Sequence, residues 1–394
     1  MKKMSELFDT YQNNIKSCEV LFLRLSPIAE IEDKAIEKEK FEYFGNCVKE
    51  TFGENEINEV EEMNISEEAM RKFFHKMHLA PRIPAQNNKN LTNGAFIMLN
   101  NYFEYLFSDL LSYHFKKNDG AIADKKVSIT LNDLRKYSTI NEAYEDLIYK
   151  EVEQLLIDLN FEELKTYFEK DLKINLEKEL VNWDLINEIR ERRHIIIHNN
   201  SIVNNKYIIK SKNIFNLKIN DEVSIDKDYF LLALNEIRIA GILLCLNCWG
   251  SWENKTTLNA INAIMNLSFY DLQDSNFEFA NKLCSYTEKN IVARNEEEDE
   301  IIYRIKFNHC IALKRLGKKN ELNQKLSKIK SNSLTPILKM AHLTLSDKHN
   351  EAIEMIDKAK ITDELTIEKY NDWPIFQDLR MDEELNTKAL EKFA

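Results

Sequence analysis

Apolar residues recur every three or four positions along nearly the whole chain, the spacing of one face of an α-helix. The period shows in Cys18, Leu21, Phe22 and Leu25 and again in Phe41, Phe44 and Val48, so residues 1 to 79 read as helices. Ala80 to Asn90 interrupts it with Pro81, Pro84 and a run of asparagines, and reads as a linker. Phe96, Leu99, Phe103, Leu106, Leu110 and Tyr113 then give a wide apolar face over Gly94 to Lys117, with Thr92 as its cap and Gly120 near its end. Glu104 and Asp109 sit beside that face. Thr130 and Asp133 have the spacing of a capping box, with Asp in the place of Glu. Helical spacing continues through Leu147, Val152 and Leu155, and through Leu164, Phe168 and Leu172. The next helix is expected from Ile174 to His198, broken by Asn199 and Asn200, which tolerate the left-handed conformation. Tyr207-Ile-Ile-Lys210 and Val223-Ser-Ile225 are short enough to form a small β-hairpin arm. Asp226 is placed to cap an apolar helix ending at Trp249.

Beyond Ser251 the pattern changes to helical hairpins of about 30 to 40 residues, which resemble tetratricopeptide-type repeats. Ala312-Leu-Lys-Arg-Leu-Gly317 and Asp378-Leu-Arg-Met-Asp-Glu carry that likeness. Composition strengthens the helical reading. The 394 residues include only 7 Gly and 5 Pro, and no Pro falls between Pro84 and Pro336. Sheets and tight turns need such breakers, whereas long helices exclude them. The expected fold is all-α, with an N-terminal helical segment over 1–80, a helical bundle over 90–255 and α-α repeats over 262–394.

The net charge of −12 argues against a protein that coats nucleic acid, whose surface would be basic overall. Tyr229 to Trp249 is the most apolar stretch, but Asn235, Glu236, Arg238 and Asn247 interrupt it. It reads as a central buried helix and not as a membrane span. Six scattered cysteines and an amphipathic start point to reduced thiols in a cytoplasmic protein. Cys245 and Cys248 have no second ligand pair nearby and read as buried helix residues. His75 and His78 also lack a neighbouring carboxylate or thiol that would complete a metal site, so no metal or other cofactor is expected. His309-Cys310 on a repeat-like helix reads as packing. The acidic runs Glu54 to Glu62 and Glu296 to Glu300 read as solvated surface, the second as a loop.

One helix breaks its own pattern. Ile186, Ile189, Ile196 and Ile197 keep helical spacing, and Arg193 falls on the same stripe. A cation on a core-facing stripe is costly unless something pairs with it, and such violations are expected at functional sites. The adjoining face carries Asn187, Arg190, His194 and His198. From Ile186 to Lys212 there are six Lys/Arg against two Glu, a local basic patch on an acidic chain. Arg193 offers a planar fork to a phosphate, and a histidine at a helix end is placed to act as acid or base. Five residues of straight helix turn through about 500°, which leaves Arg193 and His198 about 140° apart. They meet only if the helix breaks near His198, if the Arg193 side chain wraps around it, or if two copies of the chain share a site.

Arg193-His194-Ile-Ile-Ile-His198 resembles the Arg-polar-x-x-x-His motif of the HEPN (higher eukaryotes and prokaryotes nucleotide-binding) superfamily. The longer string from Ile189 to Asn200, with Val203 and Tyr207, resembles the ribonuclease-type branch found in prokaryotic conflict and antiphage systems. So does Leu99-Asn-Asn-Tyr-Phe-Glu104 with the residues that follow it. The likeness covers residues 90 to 255. It implies a helical bundle that dimerises with the two motifs facing a cleft. It also implies metal-independent RNA cleavage leaving a 2′,3′-cyclic phosphate and a 5′-hydroxyl. Arg193 and His198 would then be catalytic, with His194 orienting them. Glu104, Arg190, Arg192 and Asn199 would be supporting or RNA-binding residues. Some relatives carry a Tyr two residues after the motif His as a modification site; Asn200 stands there in this chain.

The expected function is therefore a metal-independent endoribonuclease, a toxin or antiphage effector, with RNA as substrate and a second copy as partner. The alternative is a non-catalytic dimerising or nucleotide-binding scaffold whose C-terminal repeats hold a protein partner.

Overall fold

A computed structural model describes residues 3–52, 66–79, 83–123, 129–253, 258–329 and 334–393. The fold is all-α. In chain order the helices are α1 (Met4–Phe52), α2 (Glu67–His78), α3 (Asn87–Lys117), α4 (Asp119–Ala123), α5 (Leu131–Leu134), α6 (Ile140–Asp158), α7 (Phe161–Lys170), α8 (Trp183–His198), α9 (Asn205–Lys210) and α10 (Lys227–Trp252). They continue with α11 (Leu258–Gln273), α12 (Phe277–Asn290), α13 (Glu296–Arg315), α14 (Lys319–Lys328), α15 (Pro336–Leu345), α16 (His349–Glu354), α17 (Ile356–Ile361), α18 (Ile367–Asp372), α19 (Gln377–Met381) and α20 (Glu383–Glu391). The chain divides into two compact units, each discontinuous in sequence. The acidic stretch Glu54 to Glu62, part of the expected linker (80–82) and part of the boundary after Ser251 (254–257) lie outside the described residues.

One unit comprises residues 12–104 and 184–234. Its core is tied by Phe22 of α1, which stacks on Phe230 of α10 with ring centroids 3.8 Å apart. Cys18 Sγ donates to the Ala95 carbonyl of α3 at 3.2 Å. The start of α3 corrects the sequence reading: the helix begins at Asn87, not Gly94, and Thr92 lies within it. The Asp33 carboxylate of α1 accepts the first free amides of α3, Asn87 N and Asn88 N, at 2.8 and 2.9 Å. Thr92 instead donates its hydroxyl to the Asn88 carbonyl one turn back. A cap brought from α1 satisfies the orphan donors that a local cap would otherwise serve.

The expected β-hairpin arm is absent. Tyr207-Ile-Ile-Lys210 is helical in α9, because the Asn204 side chain accepts Tyr207 N and so caps a turn of helix. Among the described residues the one isolated β feature is a bridge between Ile202 and Glu222. Residues 199–226 form an irregular arm over a small core of Ile195, Val203, Tyr207 and Val223. Asn200, Ser201, Lys212, Asn213, Asn216 and Asn220 in this arm all adopt positive φ. Asp226 caps α10 as the sequence predicts, its Oδ1 accepting Tyr229 N at 2.7 Å.

The other unit comprises residues 1–11, 105–183 and 235–394. Helix α8 was expected to begin near Ile174. Residues 174–182 are instead non-helical, with Lys173 and Glu177 at positive φ. In α10, Gly241 faces Tyr11, whose hydroxyl donates to the Ile237 carbonyl at 2.6 Å. A Cβ at 241 would lie 2.2 Å from the Tyr11 side chain, so only glycine admits this approach. Helix α10 is long and apolar enough to cross a membrane by length and composition, yet 78% of its most apolar window is buried. The six cysteines are free and buried, which agrees with reading Cys245 and Cys248 as helix packing.

The helical hairpins after residue 258 pack through a core that includes Leu272, Phe307, Leu313, Met340, Ile356 and Phe376. The run Glu296 to Glu300 is not a loop but the first turn of α13, where carboxylates suit the helix dipole. Glu298 is buried there and paired with Arg294. His309 bridges helices: its Nδ1 lies 2.8 Å from Glu288 Oε1 and its Nε2 3.0 Å from Asn281 Oδ1. Lys325 also donates to Glu288. Burial alone would raise the Glu288 pKa, but hydrogen bonds from His309 and Lys325 override it and hold the carboxyl at about 2. A carboxyl depressed in the folded state contributes stability above its unfolded value of about 4.3 and loses it as pH falls through the folded one. The melting temperature should therefore drop between about pH 4.5 and 2. Glu288→Gln should melt lower than the wild type at neutral pH and show a flatter acid limb. Parallel acid limbs for the two proteins would refute this.

Candidate functional site

Helix α8 carries the candidate residues on three faces. Its buried face is Leu185, Ile186, Glu188, Ile189, Arg192 and Ile195. The arginine in the core stripe is thus Arg192, 6% exposed, and not Arg193; Ile197, assigned to that stripe from the sequence, is 41% exposed. The resemblance makes Arg192 a supporting or RNA-binding residue, a role that its burial does not suit. It is held instead by Glu188, whose Oε1 accepts its Nε at 2.7 Å, and by the Ser224 carbonyl at 3.3 Å. Its guanidinium lies 3.8 Å from the Tyr229 ring centroid and 5.1 Å from that of Phe215. Burial works against the charge, but Tyr229 and Glu188 outweigh it and hold Arg192 above its ordinary pKa. Glu188 also accepts the hydroxyls of Tyr207 and Tyr229, so one carboxylate is saturated by three side chains. This knot ties α8, α9 and the start of α10 together.

The second face meets α3. Arg190 pairs with Glu104 at 3.0 Å, and burial lowers its pKa despite that partner. Glu104 therefore supports Arg190 and not Arg193. Arg193 makes one side-chain hydrogen bond, from Nη2 to Asn101 Oδ1 at 3.2 Å, and its Nε is buried without a partner. Arg190 and Arg193 are close enough for each to feel the other's charge. The one carboxylate here thus serves Arg190, and Arg193 beside it keeps a buried Nε without a partner. An unsatisfied buried donor costs about 1–3 kcal/mol.

The third face holds the histidines. His194 and His198 lie one turn apart, ring centroids 4.8 Å apart and planes tilted by 49°. Burial lowers the His194 pKa first, and the charge of Lys206 adds to it. His198 is exposed at the last position of α8. The helix ends immediately after it: Ser201 N returns to the Ile195 carbonyl at 3.0 Å, and Asn200 and Ser201 both take positive φ. Asn199 closes this turn, its Nδ2 donating to the Ile202 carbonyl at 2.5 Å. The break comes too late to swing His198 toward Arg193. The two remain about 140° apart on one helix, and Arg193 is turned to Asn101.

The structure thus brings Arg193, Arg190 and Glu104 together on one face and His194 with His198 on another. It places Arg192 in the core. Sequence reasoning missed Asn101, Glu188 and Lys206. Glu188 had a signal: a carboxylate four residues before an arginine on a buried face is placed to pair with it. Among the described residues no cluster of three or more His, Cys, Asp or Glu is arranged to hold a metal ion. Comparison with protein-family models, with curated proteins and with solved structures gives no match for this chain.

Proposed function

We propose that the chain is a metal-independent endoribonuclease that cleaves by attack of a 2′-hydroxyl on the adjacent phosphate. The observation that carries this reading is Arg193: a half-buried guanidinium with a neutral partner and an unpaired Nε, one helix face away from a closely spaced, tilted histidine pair. In this reading Arg193 binds the phosphate and stabilises the charge that builds on it. His198, exposed at the helix end, takes the 2′-hydroxyl proton or protonates the leaving 5′-oxygen. His194 positions His198 through the contact of their tilted rings. Arg190, held by Glu104, adds positive charge beside Arg193. The HEPN resemblance and a role in conflict with phage or host are part of the same proposal.

Because one straight helix cannot bring Arg193 and His198 to one phosphate, the complete site is assembled from Arg193 of one copy and His198 of another. The test is cleavage of mixed RNA in EDTA by the wild type, Arg193→Ala and His198→Ala. Each variant should lose about 10²–10⁴-fold in rate, and wild-type products should end in 2′,3′-cyclic phosphate. Unchanged cleavage by both variants, or a requirement for metal, would sink the proposal.

A second reading, a non-catalytic scaffold, draws on a cavity of about 630 Å³ among the C-terminal hairpins, lined by Phe269, Arg304, Ile337, Asp363, Asp372 and Trp373 among others. Its volume and mixed lining suit a bound peptide or small ligand. A wild-type protein that cuts no RNA under any condition would favour it.

A further inference from the structure

We propose that α9 is the strand guide of this site, with Lys206 and Lys210 binding successive phosphates of unpaired RNA beside the His194/His198 pair. The inference rests on the ribonuclease reading and adds to it an element and a substrate class. Helix α9 lies alongside α8 and runs the opposite way. Asn187 Nδ2 donates to the Lys210 carbonyl at 2.6 Å, and Lys210 Nζ lies 3.5 Å from Glu191. Asn187, Glu191, His194 and His198 form one face of α8. Toward its other end, α9 sets Lys206 near enough to His194 to lower its pKa after burial has done so.

The two lysines are one turn apart, so they share a face with Cβ atoms about 6 Å from each other. That is the scale of neighbouring phosphates on one strand. Both are exposed, Lys206 has no carboxylate partner among the described residues, and Ile209 beside them is 68% exposed. The opposite side of α9 is fixed. Tyr207 is buried with its hydroxyl on Glu188, and Asn204 caps the helix. The lysines therefore project from a support tied to the same knot that holds α8. A double helix of RNA is recognised over about 16 base pairs and two minor grooves. A six-residue helix with two cations and one exposed apolar side chain offers a single track instead. It suits one strand, whose free backbone can also bring a 2′-hydroxyl into line with its phosphate.

The test measures binding by fluorescence anisotropy, using labelled oligouridine and a labelled RNA hairpin duplex on the uncleaving His198→Ala protein across a salt series. Lys206→Ala/Lys210→Ala in that background should bind oligouridine about tenfold more weakly. The slope of log K against log salt should fall by about 1.4, two phosphate contacts on a single strand. Lys206→Arg/Lys210→Arg should keep both values. In the wild-type background the alanine pair should raise KM about tenfold for cleavage of the same strand. Oligouridine bound with wild-type affinity and slope by the alanine pair overturns the proposal, as does tighter binding of the duplex. If the wild type cleaves RNA while binding ignores the lysines, only the strand guide falls. If binding depends on the lysines but nothing is cleaved, the guide stands and the catalytic reading falls.

Discussion

Mixing Arg193→Ala protein with His198→Ala protein is expected to restore about one quarter of the wild-type RNA cleavage, although each variant alone is reduced about 10²–10⁴-fold. The expectation follows from α8. The helix is regular through His198, so Arg193 and His198 of one chain face about 140° apart. If each site combines Arg193 of one copy with His198 of the other, a mixed dimer rebuilds one intact site and one doubly defective site. Random exchange makes half the dimers mixed, and half of their sites work. The measurement is cleavage after co-expression or after refolding the two variants together, with each variant alone and a doubly substituted chain as controls. A wild type that cuts RNA while the mixture stays inactive would place both residues in a site within one chain.

Glu188→Ala is expected to cost about 3–5 kcal/mol of stability, the scale of breaking a buried ion pair on one side. Glu188 is 1% exposed and accepts Arg192, Tyr207 and Tyr229. Its loss leaves a buried guanidinium and two buried hydroxyls without their acceptor, and water cannot easily reach them. Glu188→Gln should cost less, because it keeps the shape and part of the hydrogen bonding. Glu188→Leu combined with Arg192→Met should recover much of the loss, since it removes both members of the pair. Urea denaturation of the four proteins decides the point. A Glu188→Ala midpoint within experimental error of the wild type would show that the knot is not a source of stability.

Much of the architecture was legible in the sequence because it rests on helical spacing and on the scarcity of Pro and Gly. The caps at Thr130 and Asp226 and the buried cysteines follow from local chemistry alone. What failed did so where a distant or competing partner decides. The first turn of α3 is set by Asp33, 54 residues before Asn87, and no local pattern announces it. The residues around Tyr207 look like a strand by composition, yet Asn204 and the buried Tyr207 turn them into helix.

The phase of α8 is the instructive error. Ile195, Ile196 and Ile197 are consecutive, so the apolar stripe could be drawn through any of them, and with it through either Arg192 or Arg193. The carboxylate at Glu188 settles the choice for Arg192. That choice leaves Arg193 less confined than a core arginine would be. It is half-buried, with a neutral partner, and so better suited to meeting an anion than the sequence alone implied.

Between Asn200 and Asn220 six residues hold positive φ, and none is glycine. An L-residue in that conformation costs about 1–2 kcal/mol, less for asparagine, so neighbouring bonds must hold the backbone there. Asn213 shows how: its side chain both donates to and accepts from the Leu217 backbone. Glycine at these positions would relieve the strain but enlarge the conformational entropy of the unfolded chain. The arm therefore gives up less freedom on folding than a glycine-rich loop of equal length. It also has little left to give up when a ligand docks, so binding there draws on contacts already in place and not on ordering the chain.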